Sequence, residues 1–200
     1  MTSLHYSPLR CAAEGCSNHA LTNASHCWNH LPDAAEFCRR LDPQRLRDAW
    51  LVGVDFRGCN FEGADLEGAR LSGANFNSVN LRRANLRFAF LDGADLNRAD
   101  LSGANLEFAV LGGADVSGAF FTGANLQRAN LVGTRGHRAN FSDANFYYSR
   151  PGNADFEGAT FTGANLQRAI FRRANLRGAT LHNTTGTANF ENANLEEVSR

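Results

Sequence analysis

From Leu51 to Leu181 a large apolar residue recurs at every fifth position without a slip of register. Stretches such as GADLEGARLSGANF and GANLQRAIFRRANLRGATL show the unit. Of these 27 centres, fifteen are Leu, nine are Phe and one is Val116, with Gly136 and Pro151 the exceptions. The residue two before each centre is Ala in 22 cases, and otherwise Val54, Cys59, Val79, Thr134 or Ser149. Between the two stands most often Asn or Asp. A period of five fits neither a helix nor a free strand. It fits a chain that turns one corner per quintet. The centre and the small residue point inward together, as alternate strand residues do, and the residue between them points out. The next two residues turn the corner. The third position of a type II turn needs positive φ, which favours Gly, and the slot two after each centre holds 14 of the 19 glycines, Gly63, Gly68, Gly73, Gly103 and Gly163 among them. Where Arg, Phe or Tyr fills that slot, a different turn type is expected.

The units ADLEG, ANLRR and ADLSG resemble the pentapeptide-repeat family, whose pattern is A(D/N)LXX, over about residues 49–195. The resemblance implies an all-β fold, a right-handed quadrilateral β-helix of four quintets per coil. It would have about seven coils and be roughly 34 Å long at ~4.8 Å per coil. Stacked Leu/Phe and Ala layers would fill the interior, and neighbouring coils would pair their backbones. Near the end the spacing slips: Phe190 stands nine residues after Leu181 rather than ten, and Leu195 resumes the period. The last coil is expected either to fray or to support end-to-end dimerisation.

The first fifty residues differ in composition, with four of the five Cys and four of the six His. Cys11, Cys16, Cys27 and His30 read C-x4-C-x10-C-x2-H, and Gly15 suits a tight turn before Cys16. Thiolate and imidazole are the donors that tetrahedral zinc takes, in a segment too small to build its own core. The stretch resembles small Cys3His zinc-binding modules, which implies one structural zinc ion. His19 and His26 compete with His30 as ligand, and free thiols or a disulfide are the plainer alternative. A four-ligand site leaves no open position for catalysis. Downstream, Asp42 and Pro43 make a helix start. Leu46, Ala49 and Trp50 are then spaced so that a short helix lays Leu46 and Trp50 over the first coil. Phe37 and Leu41 suggest another helical turn before it. Cys38 is expected to pack on that helix, and Cys59 to be buried core. The divisions are therefore a tail over 1–10, a metal module over 11–31, a helical cap over 32–50, the β-helix over 51–195 and a tail over 196–200.

Function must lie outside the rod, where residues twenty apart stack in columns. One outward column holds Phe88, Phe108 and Tyr148, and its neighbour holds Phe90 and Val110. Phe88, Phe90, Phe108 and Val110 form either an exposed patch, which marks a partner surface, or a wider turn with the rings folded back onto the coil. Beside them Glu67, Arg87 and Glu107 alternate in charge, as a solvated ladder would. The stretch TRGHRANFSDANFYYSRPGN contains both irregular centres together with Tyr147 and Tyr148, residue types that anchor interfaces. A tolerated defect in a redundant solenoid is the plainer reading of it.

Charge narrows the classes. Twenty Arg balance twenty acids, and there is no Lys, so Schiff-base and P-loop lysine chemistry are excluded. No nucleophile elbow or phosphate-binding glycine loop is present, and an enzyme is not expected. No apolar run approaches the ~20 residues that span a membrane, and no leader opens the chain, so a cytoplasmic bacterial protein is expected. The leading reading is a protein–protein interaction scaffold with an unidentified protein partner or a patch-mediated homodimer. The alternative is a DNA mimic acting on a type II topoisomerase, as in some members of the family the repeats resemble. A mimic needs a negative rod, whereas residues 51–200 hold 15 Arg and 15 acids. The first fifty residues, with five of each, give a nucleic-acid-binding knuckle no basic surplus.

Overall fold

The computed structural model describes residues 9–200. Along most of the rod the outward residues form parallel β bridges with the residue twenty positions on, as in Trp50–Arg70, Arg70–Phe90 and Phe90–Val110. Four quintets therefore make one coil, and the column from Trp50 to Asn189 has eight residues joined by six bridges. The β segments are single bridges rather than long strands. Around Phe90, Leu71 N donates to Phe90 O at 2.7 Å and Phe90 N donates to Ala69 O at 2.9 Å. Ala74 N then closes the corner onto Leu71 O at 3.0 Å. The centres and small residues are buried from Leu46 to Leu181, with Cys59 the exception, and half-buried in the last coil. Phe rings stack between coils, Phe56 on Phe76 at 4.8 Å and Phe121 on Phe141 at 4.9 Å. Burial of each large centre contributes about 1.5–3 kcal/mol, set against the entropy of fixing the chain.

The preference for Asn and Asp at the outward slot has a hydrogen-bond cause. The N–H two residues on lies at the corner and has no backbone acceptor there, and the side chain supplies one. Asp95 Oδ1 accepts from Asn97 N at 2.9 Å and Asp115 Oδ1 accepts from Ser117 N at 3.0 Å, the Asx arrangement that favours these residues in turns.

One expectation is overturned. Arg, Phe and Tyr in the glycine slot do not change the turn: φ is 55° at Arg83, 56° at Phe88, 61° at Phe108 and 56° at Tyr148. The corner is fixed by the ladder on both sides, since Phe88 N reaches Glu107 O at 3.0 Å and Ala89 N closes on Leu86 O at 3.1 Å. The left-handed backbone costs a side-chain-bearing residue roughly 1–2 kcal/mol, and coil stacking absorbs it.

The irregular centres keep the ladder nearly whole. Gly136 stays in register, its inward space taken by Phe156. Pro151 is buried and has no N–H, and the bridge between Arg150 and Ile170 is the rung missing from its column.

The boundaries also move. Leu46 is not on a helix: it is buried as one more centre, Ala49 N closes a corner onto its carbonyl at 3.1 Å, and Asp48 takes the left-handed slot at 55°. Trp50 points outward as the first rung and does not cover the coil. Asp42 does cap a start, accepting from Gln44 N, but only for the single turn Pro43–Arg45. The helix proper is α1, Ala34–Arg40, capped by Asp33 through Glu36 N at 2.8 Å. Phe37 of α1 and Leu21 of the preceding module are buried against the first coil. Cys59 is half-buried rather than core, because the first coil has no coil beneath it there and Cys38 of α1 stands in its place. At the other end, 196–200 is not a tail. Leu181 N donates to Ser199 O at 2.7 Å, and the bridges from Ile170 to Asn189 and from Thr180 to Ser199 show that the last coil has 19 residues. Residues 1–8 of the other expected tail lie outside the described residues, while Arg10 pairs with His19 in an antiparallel bridge.

Candidate metal centre and docking face

The metal module is shaped locally. Cys11 N donates to Asn18 O at 2.9 Å, and the turn between them uses Gly15 at φ 72°. A single helical turn, Trp28–His30, follows Cys27, with His30 N on Cys27 O at 3.1 Å, so the imidazole folds back beside that thiol. The result gathers Cys11, Cys16, Cys27 and His30, with all four donor atoms within 4.8 Å of one another. Cys11 Sγ and Cys27 Sγ each lie 3.5 Å from His30 Nδ1, and Cys16 Sγ lies 3.9 Å from Cys27 Sγ. A tetrahedral zinc with bonds of ~2.3 Å to sulfur and ~2.0 Å to nitrogen sets sulfurs about 3.8 Å apart and sulfur about 3.5 Å from nitrogen. The four donors fit that ion. Asn18 Nδ2 donates toward Cys27 Sγ at 3.9 Å, the kind of outer contact that supports a thiolate. Burial pushes the Cys11 thiol up, but backbone hydrogen bonds at Cys27 and Ala13, with His30 and Cys16, outweigh it and hold the thiol at about 6. The Cys16 thiol is raised.

The two competing histidines stand elsewhere. His19 packs its ring edge-on against Trp50 at 4.7 Å, and His26 Nδ1 meets Ser25 Oγ at 2.8 Å. Trp50 also ties the module to the rod, since Thr22 N donates to its carbonyl at 2.9 Å and its N–H donates to Thr22 Oγ1 at 2.6 Å. Burial raises the other two thiols, Cys38 to about 11.

On the face whose centres run from Leu51 to Phe171, the aromatic residues form an ordered stack. Phe88 and Phe108 lie 5.0 Å apart with planes 10° from parallel. Phe88 is 43 % exposed, and Phe108, Phe90 and Val110 are half-buried. The rings thus stack along the rod rather than folding into the core. The stack continues with cations: Arg128 sits over Phe108 at 5.2 Å and Arg168 over Tyr148 at 4.9 Å, while Arg70 covers Phe90 at 4.0 Å. Tyr147 meets Tyr148 edge-on at 4.6 Å. The Arg contribution to this stack, and exposed Phe120, Val132 and Ile170, were not legible from apolar spacing alone. The charge ladder is real in part: Arg87 pairs with Glu107 at 3.2 Å, while Glu67 turns to Arg47 at 2.9 Å. Among the described residues, Arg128, Arg150 and Arg168 form no ion pair.

The corner diagonally opposite the aromatic stack has an open groove of about 660 Å³ floored by Gly118, Gly158 and Gly178 and lined by Arg98 and Arg138. Beside it His137 Nε2 meets Asp155 Oδ2 at 2.7 Å on an exposed surface. No helix among the described residues is long and apolar enough to cross a membrane.

A family model described as Pentapeptide repeats, in 8 copies, matches residues 45–77, 80–118, 119–150 and 152–185. No curated protein sequence matches the chain. Among solved structures, HetL, a pentapeptide repeat protein of the cyanobacterium Nostoc, is 26 % identical over 78 % of this chain and 89 % of its own, with a TM-score of 0.38. A pentapeptide repeat protein of the Arabidopsis thaliana thylakoid lumen is 33 % identical over 50 % and 67 %, at 0.39. QnrB1, a plasmid-mediated fluoroquinolone resistance protein, is 24 % identical over 80 % and 86 %, at 0.36.

Proposed function

The chain belongs to the pentapeptide repeat family, and from that premise we propose that it is a non-enzymatic docking rod whose N-terminal Cys3His module is closed by one structural zinc. The observation that carries the docking reading is the Phe88–Phe108 stack. Both rings occupy corner slots that hold Gly or Arg on other coils, as at Gly68 and Arg128. The rod folds without an aromatic residue there, so exposed Phe88 and the half-buried Phe108 stacked on it serve contact with a partner. Tyr148 and the half-buried Phe90 and Val110 extend the same face. The zinc would hold Cys11, Cys16, Cys27 and His30 and so fix the segment that docks on the first coil through Thr22.

The test is capture of a partner by the intact chain and by a Phe88→Arg/Phe108→Arg variant. The variant should keep its melting temperature, because Arg already sits at this backbone conformation at Arg83 and Arg98. It should lose the partner. A folded variant that captures the same partner would remove the face from the reading. The topoisomerase reading is opposed by charge: the docking face presents Arg128, Arg150 and Arg168 without paired acids, the reverse of a phosphate-like surface. Absence of any dose-dependent effect on gyrase supercoiling is the expected result.

A further inference from the structure

The docking face is divided along its length. Its N-terminal half holds Phe88, Phe108, Phe90 and Val110, and its C-terminal half holds Arg128, Arg150 and Arg168, all three exposed. We propose that its occupant is a short, extended acidic segment of a partner protein, with an apolar side chain on the Phe88–Phe108 stack and carboxylates on Arg128 and Arg168. This deepens, and rests on, the reading of the face as a docking surface.

Charge supplies the first argument. The carboxylates that border the face are engaged within the chain: Glu67 pairs with Arg47 at 2.9 Å, Glu107 pairs with Arg87 at 3.2 Å, and Asp92 Oδ1 accepts from Ser72 Oγ at 3.0 Å. Among the described residues Arg128, Arg150 and Arg168 pair with no acid. Arg128 is held over Phe108 at 5.2 Å and Arg168 over Tyr148 at 4.9 Å. Both guanidinium groups are thus presented before a partner arrives, and little ordering cost remains. Such a group takes a carboxylate through two parallel N–H donors.

Register supplies the second. The backbone of the face is spent on pairing between coils, as where Phe90 N donates to Ala69 O and Leu71 N donates to Phe90 O. No free strand edge is offered for a β strand to join, so side chains must do the reading. Phe88, Arg128 and Arg168 stand in one column at steps of two coils, roughly 9.6 Å at ~4.8 Å per coil. A polyproline II helix has three residues per turn and a rise of about 3.1 Å, so it presents every third side chain to one side at roughly 9.3 Å. The two periods agree over the length of the face. The segment therefore carries one apolar residue and two Asp or Glu residues, each three positions from the next, in either chain direction.

Guanidinium groups also take phosphates, and the N-terminal half decides against a nucleic acid or an anionic membrane. Those carry charge throughout, and would lay it over Asp92 and Glu107 beside the rings. A peptide sets a neutral side chain there.

The experiment is selection of a random dodecapeptide display library on the immobilised full chain at low salt, followed by anisotropy titration of a selected peptide. Enriched peptides should carry an apolar residue and two acids at the three-residue spacing. Binding should weaken at least tenfold with Arg128→Gln/Arg168→Gln, with Phe88→Gly/Phe108→Gly and in high salt. Glycine already fills this slot at Gly68, so the second variant should keep its fold. Replacing the two acids of the peptide by their amides should cost as much, and this arm leaves the chain untouched should the arginine variant melt early. Selection of basic or uncharged peptides overturns the proposal, as do acidic peptides indifferent to both variants. Tighter binding of oligothymidylate or of phosphatidylserine vesicles than of the selected peptide overturns it too. A peptide that needs the arginines but not the rings refutes both the shared register and the docking role of Phe88 and Phe108. If no acidic peptide is selected while a captured protein is still lost on Phe88→Arg/Phe108→Arg, the docking reading stands and this inference is refuted.

Discussion

A Cβ placed on Gly136 would lie 2.6 Å from Cδ1 of Phe156, the centre one coil further on, and 3.2 Å from a methyl of Val116, one coil before. The column therefore balances a missing side chain against an oversized neighbour. Restoring the repeat with Gly136→Leu is expected to destabilise the chain, because an overpacked core costs typically 1–3 kcal/mol. Gly136→Leu combined with Phe156→Leu should recover most of that loss. Thermal melts of the two variants check this, and a single variant that melts above the wild type would contradict the packing argument.

Ser149 fills a slot that holds Ala in most quintets, and its Oγ is buried without a hydrogen-bond partner. Thr134, in an equivalent slot, donates to Leu111 O at 2.9 Å. Removing an unsatisfied buried hydroxyl recovers a desolvation cost of about 1–3 kcal/mol. Ser149→Ala should raise the melting temperature, and Thr134→Ala should lower it. Opposite signs in one calorimetric series are the expected result.

The reduced chain should bind one zinc per molecule by elemental analysis. Cys27→Ser should abolish binding and His30→Ala should weaken it severely, while His19→Ala and His26→Ala leave it unchanged. Retention in His30→Ala with loss in His19→Ala would move the ligand. In the metal-free chain Cys11, held at about 6, should alkylate at neutral pH ahead of Cys16, which is raised. Zinc should protect both.

Asp155 is held below the ordinary carboxylate range: burial pushes it up, but hydrogen bonds from His137, the Glu157 backbone and Asn175 outweigh that. Asp115 is lowered likewise, against burial, by Ser117 and Arg135. A carboxyl lowered on folding adds stability above its unfolded value of about 3.9, and that stability is lost as pH falls through the lower folded value. Melting temperature should thus decline in acid below about pH 4, with a shallower decline in Asp155→Asn. An equal decline in the variant would show that Asp155 is not coupled to folding.

The rod was legible because one local rule, repeated, decides burial: Leu91 and Ala94 lie in the core for the same reason as Leu71 and Ala74. The gathering of Cys11, Cys16, Cys27 and His30 was legible because their chemistry and spacing are distinctive. Turn type at Phe88 was not legible, since intrinsic preference said glycine while stacking between coils decided the backbone. Leu46 was misassigned because its spacing to Ala49 and Trp50 suits a helix as well as a quintet, and only the Ala49–Leu46 corner bond separates the two. The stacking of Arg128 and Arg168 on rings depends on contacts twenty residues apart, which no local window contains.

The bonds of Thr22 to both backbone groups of Trp50 have a consequence for biosynthesis. The module that carries Thr22 leaves the ribosome before the rod does, and domains fold N-terminal first during synthesis. With zinc bound as proposed, the module would offer the first coil a prepared edge instead of bare solvent. Every later coil then pairs with one made only twenty residues earlier, so assembly proceeds by short-range templating in step with translation. A chain deprived of zinc while it is being made would lose its starting template, and its newly made coils would expose unpaired edges to one another.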